Sequence, residues 1–129
     1  MIMDIKNLIA ATYTPLKEDG SLNLGIIKGY GTFLKSNKVA GAFVNGTTGD
    51  FASLTPDERK LIIDKWAKDK PSDFALINHV GDVSLKTAKD LASHSADKVD
   101  AIATLAPFYF KLKSLELLVD YCSEVAMCA

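Results

Sequence analysis

Apolar and polar positions occur in blocks along this chain, with four short apolar runs separated by four longer amphipathic stretches. The apolar runs cover residues 8–13, 40–44, 74–80 and 101–106. Each run is short, lacks strict alternation with polar residues and is followed by residues typical of turns. This pattern predicts strands that are buried on both faces, as in a parallel sheet.

The stretches between the apolar runs have helical spacing and start signals. Thr55-Pro56-Asp57-Glu58 has the form of a capping box with proline at the first helical position. The residues that follow it predict a helix with Trp66 in the core. We expect the opening run 57–60 to be a solvated first turn, with acids where the helix dipole favours them. A helix over 24–36 and two helices capped by Ser84 and Ser114 complete the set.

The elements therefore alternate as four βα units, which indicates an α/β fold. Right-handed βα units build either an open doubly wound sheet or a closed (βα)8 TIM barrel. Chain length favours the small open sheet, but the strand ends argue for half of a barrel. The turn after the first strand is Thr14-Pro15-Leu16, which is not a glycine-rich phosphate loop, and the third strand ends in His79-Val80-Gly81 where a phospho-acceptor sheet has a carboxylate. We expect residues 1–129 to form a single domain.

Composition and charge exclude several classes of protein. The chain has 129 residues, of which 48% are hydrophobic and 24% charged, and a formal net charge of -1. No cationic field exists to attract nucleic acid, no apolar run approaches the ~20 residues that cross a bilayer, and residues 1–6 do not resemble a secretory leader. Cys122 and Cys128 suit neither a disulfide framework nor a zinc site. We expect free thiols, a cytoplasmic location, no metal and no cofactor.

The turn after the second apolar run is the strongest candidate for a binding site. Two glycines flank two threonines in Gly46-Thr47-Thr48-Gly49, which allows a sharp turn that points successive amide N–H groups into one concavity. With two hydroxyls added, such a turn could hold a carboxylate without a cationic side chain. The alternative is a loop in which the threonines cap their own turn.

Two histidines invite a functional interpretation. His79 lies at a strand end and could donate a hydrogen bond to a ligand, although a lone histidine there is more often a structural hydrogen-bonding residue. His94 lies on a predicted helix beside Leu91 and Ala92, where a structural or exposed role is expected. Neither belongs to a cluster with the spacing of metal ligands.

These motifs together resemble the class I pyruvate-dependent aldolases, a family that includes N-acetylneuraminate lyase and dihydrodipicolinate synthase. Residues 46–49 followed by an acid are similar to the family's pyruvate-carboxylate loop, and residues 8–15 with Glu18-Asp19-Gly20 are similar to its first strand and loop. His79-Val80-Gly81 and residues 106–110 resemble the N-acetylneuraminate lyase branch. The resemblance covers essentially the whole chain.

The resemblance implies a (βα)8 barrel, usually a homotetramer, that cleaves N-acetylneuraminate to pyruvate and N-acetylmannosamine. In this family the keto carbon forms a Schiff base with a lysine on the sixth strand, and a tyrosine on the fifth strand relays protons. The resemblance implies that Thr47 and Thr48 hold the carboxylate of a 2-keto acid and that Tyr109 reaches the proton relay of a neighbouring subunit. Asp50 stands where the family usually has glutamate.

A Schiff-base lysine needs a desolvated pocket that lowers its pKa. Fourteen of the 15 basic residues are lysines, and none lies within an apolar run; Lys111 and Lys113 are closest to a strand end. We therefore expect the catalytic strands to lie beyond Ala129 and the isolated chain to be inactive. The alternatives are a non-catalytic half-barrel that serves in interactions, or a pyruvate aldolase of the dihydrodipicolinate synthase type.

Half a barrel also leaves the first and fourth strands as unpaired edges. Residues 8–13 and 101–106 carry no charge and no proline to protect such an edge. The isolated chain is therefore expected to associate or to bind a hydrophobic dye.

Overall fold

Four parallel strands in the spatial order β1-β2-β3-β4 form the centre of the fold. The structure is a computed structural model that describes residues 6–129. The strands are β1 (Ile9–Ala11), β2 (Gly41–Val44), β3 (Ala75–His79) and β4 (Ala101–Ala103). Because each strand pairs in parallel with the next, every connection crosses over the sheet and carries a helix.

The helices are α1 (Ile27–Ser36), α2 (Pro56–Asp69), α3 (Leu85–Ser95) and α4 (Leu115–Ala126). Two single 3-10 turns, Leu24–Ile26 and Phe51–Ser53, precede α1 and α2. The predicted alternation of four βα units is confirmed.

The predicted helix starts are confirmed by their caps. The Thr55 hydroxyl accepts a hydrogen bond from the N–H of Glu58, whose carboxylate accepts one from the N–H of Thr55, so the capping box is complete. At the starts of α3 and α4 the hydroxyls of Ser84 and Ser114 accept hydrogen bonds from the N–H groups of Thr87 and Leu117, without the reciprocal bond. The helix predicted from residue 24 starts as α-helix only at Ile27, because no side chain caps the turn at Asn23.

The strands are shorter than predicted, and the buried residues are concentrated in the two central strands. Most residues of β2 and β3 are buried, whereas β1 and β4 are at best half-buried. The prediction is wrong for the two edge strands because each has a neighbour on one side only. Tyr13, predicted to belong to β1, lies beyond the ladder and is 71% exposed.

One face of the sheet packs on the helices in two clusters. Trp66 is fully buried in the cluster beneath α1 and α2, where it stacks on Phe74 at 6.4 Å, which confirms its predicted place in the core. The second cluster lies beneath α3 and α4 around Val80 and Tyr121. Ala42 and Leu76 are paired and face the helices, so their successors Phe43 and Ile77 face the other, concave side, which no helix of residues 6–129 covers.

One sequence-based expectation about α2 is wrong. Residues 57–60 were expected to be solvated, but the side chain of Arg59 is 1% exposed and points beneath the strand ends. The other three residues of this turn are exposed or half-buried.

Within residues 6–129 no helix combines the length and the apolar character needed to cross a bilayer. The expectation that residues 1–6 lack a secretory leader falls largely on residues 1–5, which lie outside the described part of the chain.

Candidate functional site

The candidate carboxylate loop follows β2 and is folded by hydrogen bonds between its own backbone groups. The N–H of Gly49 donates to the carbonyl of Gly46, and the N–H of Asp50 donates to the carbonyl of Thr47, both at 3.0 Å. Asp50 has a left-handed backbone (φ 53°) that leads into the 3-10 turn at Phe51. The result is a tight projection at the carboxyl end of the sheet.

The two threonines stand on the exposed outside of this projection, whereas Gly46 and Gly49 are buried. Neither hydroxyl of Thr47 or Thr48 has a hydrogen-bond partner within residues 6–129, so the threonines do not cap their own turn in this conformation. Both hydroxyls are therefore available to a ligand.

The loop after β1 supports the threonine loop from the side. The Thr14 hydroxyl donates to the carbonyl of Gly49 at 2.7 Å. A side chain on Gly49 would lie 3.1 Å from the carbonyl oxygen of Thr12, so the two loops approach too closely for a larger residue to fit easily.

A cavity of about 200 Å³ lies between these two loops. Thr48 lines it together with Thr14, but so do the carboxylates of Asp50 and Glu58. Two acids repel an anion, so this cavity is a poor site for a keto acid. A carboxylate that binds the threonines would have to reach them from outside this cavity.

Asn45 fixes the direction in which the chain enters the loop. Its backbone is left-handed (φ 57°), and its buried amide donates to the carbonyl of Arg59 at 3.1 Å and to the side-chain oxygen of Asn78 at 2.8 Å. Asn78 in turn donates to the hydroxyl of Ser95 on α3. A chain of buried hydrogen bonds thus joins β2, β3 and two helices directly beneath the loop.

His79 lies at the end of β3, buried against the ring of Phe51 at 4.5 Å. Its Nδ1 is 2.9 Å from the carbonyl oxygen of Asn45. Burial, reinforced by the nearby charge of Arg59, lowers the pKa of His79 to about 4, so the ring is neutral at pH 7. These contacts support a structural role for His79 rather than a role in ligand binding. The half-buried ring of His94 forms a hydrogen bond with Asp64 on α2.

Arg59 is the residue that sequence reasoning missed. Its guanidinium donates to the carbonyls of His79 (2.8 Å) and Gly81 (3.2 Å), lies 3.4 Å from the carboxylate of Asp82, and sits beneath the ring of Phe51. Burial lowers the pKa of Arg59, and the charge of Asp82 opposes that shift. One signal was present in the sequence, since Arg59 is the only arginine and the other 14 basic residues are lysines. A guanidinium can donate to several fixed acceptors better than an ammonium can.

Tyr109 lies in the loop after β4 and is 76% exposed. Its ring contacts Phe110, while the neighbouring Phe108 contacts Phe51 at 5.7 Å. The aromatic loop thus touches the 3-10 turn that follows the threonine loop. No hydrogen bond or ring contact joins Tyr109 itself to Thr47 or Thr48 within the described chain.

The lysines lie away from the strands. Every lysine belongs to a helix or a loop, and among residues 6–129 none is buried. The same residues contain no group of three or more His, Cys, Asp or Glu side chains placed to hold a metal ion. Cys122 and Cys128 are free thiols, as expected.

Comparison with known proteins gives one consistent family. The sequence model described as the dihydrodipicolinate synthetase family matches residues 4–129. N-acetylneuraminate lyases of Xenopus tropicalis and Homo sapiens are 43% and 40% identical over 128 residues, which are 97% of this chain but 42% and 40% of those proteins. The chain therefore spans about two fifths of the length of these relatives.

Solved structures agree with the sequence relatives. N-acetylneuraminate lyase of Proteus mirabilis superposes with a TM-score of 0.91 at 35% identity, over 97% of this chain and 43% of that chain. A dihydrodipicolinate synthase superposes with a TM-score of 0.89 at 26% identity, over 97% and 43%. The four βα units correspond to half of a (βα)8 barrel, as the sequence predicts. The chain belongs to the dihydrodipicolinate synthetase family.

Proposed function

We propose that this chain provides the keto-acid carboxylate site of a Schiff-base aldolase of the N-acetylneuraminate lyase type. The reaction would cleave N-acetylneuraminate to pyruvate and N-acetylmannosamine. The observation that carries the proposal is the turn at 46–49, which presents two exposed hydroxyls without internal partners at the carboxyl end of β2. Parallel α/β sheets bind ligands beyond this end of their strands.

The binding step follows from the chemistry of the turn. The hydroxyls of Thr47 and Thr48 can both donate to the two carboxylate oxygens of pyruvate, with charge-assisted hydrogen bonds that are stronger than those to a neutral acceptor. The acids that line the neighbouring cavity disfavour binding of the anion there. The keto carbon is then held over the open interior of the sheet, where an amine could attack it.

We propose further that no lysine of this chain is that amine. A Schiff-base lysine must be desolvated to be neutral near pH 7, and the exposed or half-buried lysines here argue against it. The 129-residue chain alone would then bind the acid without catalysis. In this proposal residues 1–129 form one domain of a cytoplasmic homotetramer, and the exposed ring of Tyr109 reaches the proton relay of a neighbouring subunit.

Binding is tested by titrating the 15N-labelled chain with pyruvate while the amide resonances of residues 46–50 are recorded by NMR. We expect saturable shifts confined to this turn, lost in the variant Thr47→Ala/Thr48→Ala. The uncharged ester methyl pyruvate is the matched ligand control, since it keeps the keto group but lacks the carboxylate. Shifts centred elsewhere, or equal shifts with the ester, would contradict the proposed carboxylate site.

Catalysis is tested separately by adding borohydride to the chain with pyruvate and measuring the intact mass. We expect no covalent adduct, because no internal lysine is desolvated. A lysine adduct that requires pyruvate would show that this chain does form the Schiff base. Binding without an adduct supports the proposal; absence of both binding and adduct favours the non-catalytic alternative.

A further inference from the structure

The threonine loop, residues 46–50, is flanked by two buried residues. Asn45 precedes the loop and is 1% exposed, and Phe51 follows it and is 6% exposed. The hydroxyl of Thr14 supports the loop from one side through its bond to Gly49. The direction of the two ends of the loop, however, depends on what holds Asn45 and Phe51 in place.

Arg59 on α2 contacts both of these flanking residues. Its backbone carbonyl accepts a hydrogen bond from the side-chain amide of Asn45 at 3.1 Å. The central carbon of its guanidinium lies 5.2 Å from the centre of the Phe51 ring, within the range of a cation–π contact. One residue thus holds the start of the threonine loop through its backbone and the end of the loop through its side chain.

His79 at the end of β3 makes a second connection between the same two residues. Its Nδ1 lies 2.9 Å from the carbonyl oxygen of Asn45, and its ring meets the Phe51 ring edge-on with 4.5 Å between the ring centres. The guanidinium of Arg59 donates to the carbonyl of His79 at 2.8 Å, so the two connections are themselves joined. These four residues form a closed set of contacts around the base of the loop, which we call the loop clamp: Asn45, Phe51, Arg59 and His79.

The guanidinium of Arg59 is itself held in one orientation. It donates to the carbonyls of His79 and Gly81 and lies 3.4 Å from the carboxylate of Asp82. Because these three acceptors belong to the short segment 79–82, they fix the plane of the group as well as its position. A fixed, flat cation can support the Phe51 ring, whereas an ammonium has no flat face to offer.

We propose that Arg59 is a positioning residue for the keto-acid carboxylate, since through the loop clamp it sets where the hydroxyls of Thr47 and Thr48 stand. This inference rests on the proposed function of the threonine loop. Arg59 is 1% exposed, so it acts on the ligand only through the loop. Two hydroxyls bind one carboxylate well only when both have the correct direction, because hydrogen bonds weaken steeply with poor geometry. A loop that is already ordered also avoids the entropy cost of ordering on binding.

Two variants break the clamp at the same contact from opposite sides. Arg59→Met removes the guanidinium but keeps the backbone carbonyl that holds Asn45. Phe51→Leu removes the ring and leaves the hydrogen bonds of the guanidinium intact, so it tests the clamp even if Arg59→Met fails to fold. The matched control is Trp66→Leu, which removes a buried aromatic ring from the core cluster on the same helix without touching the clamp.

Two quantities are measured on each folded variant, with folding checked by circular dichroism. The first is the dissociation constant for pyruvate, taken from the NMR shifts of the amides of residues 46–50. The second is the hydrogen-exchange rate, without ligand, of the Gly49 and Asp50 amides, which donate to carbonyls inside the loop. The exchange rates report how well the loop is ordered before any ligand binds.

We expect both clamp variants to raise the pyruvate dissociation constant at least about tenfold, roughly the loss of one hydrogen bond to a charged group. Exchange at Gly49 and Asp50 should become faster in both variants. Trp66→Leu should leave the dissociation constant and these two exchange rates close to the wild-type values, although it destabilises the fold.

The outcomes separate the positioning role from the proposed function. If the wild type does not bind pyruvate at residues 46–50, the proposed function fails and the positioning role fails with it. If the wild type binds and both clamp variants bind equally well, the positioning role alone is overturned. An equal loss of binding in Trp66→Leu, or unchanged exchange at Gly49 and Asp50 in the clamp variants, would also overturn it, because Arg59 would then act only on general stability.

Discussion

The imidazole Nδ1 of His79 lies 2.9 Å from the backbone carbonyl oxygen of Asn45 and so joins the end of β3 to the start of the threonine loop. A carbonyl only accepts, so Nδ1 carries the proton of the neutral ring. The buried Nε2 is then an acceptor, and it has no partner within residues 6–129. The ring is held by packing and by one hydrogen bond.

This environment makes folding sensitive to acid. The pKa of His79 is about 4 when folded, against about 6.5 for an exposed histidine, because burial disfavours the charged ring. Between these values the unfolded chain binds more protons, so the free energy of unfolding falls as the pH falls from 6.5 to 4, by about 3 kcal/mol in all. Urea denaturation should show a shallower pH dependence in His79→Gln, which cannot titrate. Equal pH slopes in wild type and variant would rule out this role, and His94→Gln serves as the control histidine.

Removal of the buried guanidinium of Arg59 should lower the free energy of unfolding. Arg59→Met leaves the carbonyls of His79 and Gly81 without their donor and the carboxylate of Asp82 without its cation. We expect a loss of about 3 kcal/mol in the free energy of unfolding. Arg59→Lys should lose less, since an ammonium keeps the charge but cannot reach all three groups.

The neighbouring residue provides the control for Arg59. Lys60 forms an ion pair with Asp90, whose side chain is 56% exposed to solvent, so Lys60→Met should change stability by less than about 1 kcal/mol. Denaturant titration of the three variants measures the difference. Similar losses at positions 59 and 60 would mean that the buried network contributes nothing.

Two substitutions at Asn45 should separate its backbone conformation from its side-chain bonds. Both Asn45→Gly and Asn45→Ala remove the hydrogen bonds to the carbonyl of Arg59 and to Asn78. Only alanine also has to adopt the left-handed φ of 57° with a Cβ atom, which costs about 1 kcal/mol. The alanine variant should therefore be the less stable by that amount in chemical denaturation. The opposite order would indicate that the backbone changes conformation in the variants.

The capping box of α2 should contribute to the free energy of unfolding independently of the buried network. Thr55→Ala removes the hydroxyl that accepts from the N–H of Glu58 and should lower the free energy of unfolding by about 1 kcal/mol. Thr32→Ala is the matched control, because that exposed hydroxyl bonds only within α1, to the carbonyl of Lys28. A Thr55 variant as stable as the control would show that water replaces the cap without cost.

The sequence by itself determined the order of the elements and where most of the helices begin. Helix caps form between residues that are only a few positions apart, as at Thr55, Ser84 and Ser114. The helical spacing that places Trp66 in the core is also a local pattern. Both can therefore be recognised in the sequence. The threonine turn after β2 was identified for the same reason. Interactions between residues that are close in the sequence can be predicted without knowledge of the fold.

Only the tertiary structure decided which residues stand beneath that turn. Arg59 has the sequence context of a solvated helix start, yet it is buried because the ends of β2 and β3 converge on it from 14 to 23 positions away. The half-exposure of β1 and β4 has a similar origin, since an apolar run predicts burial but not how many strands stand beside it. Burial and hydrogen-bond partners depend on contacts between distant segments, and these contacts exist only once the chain has folded.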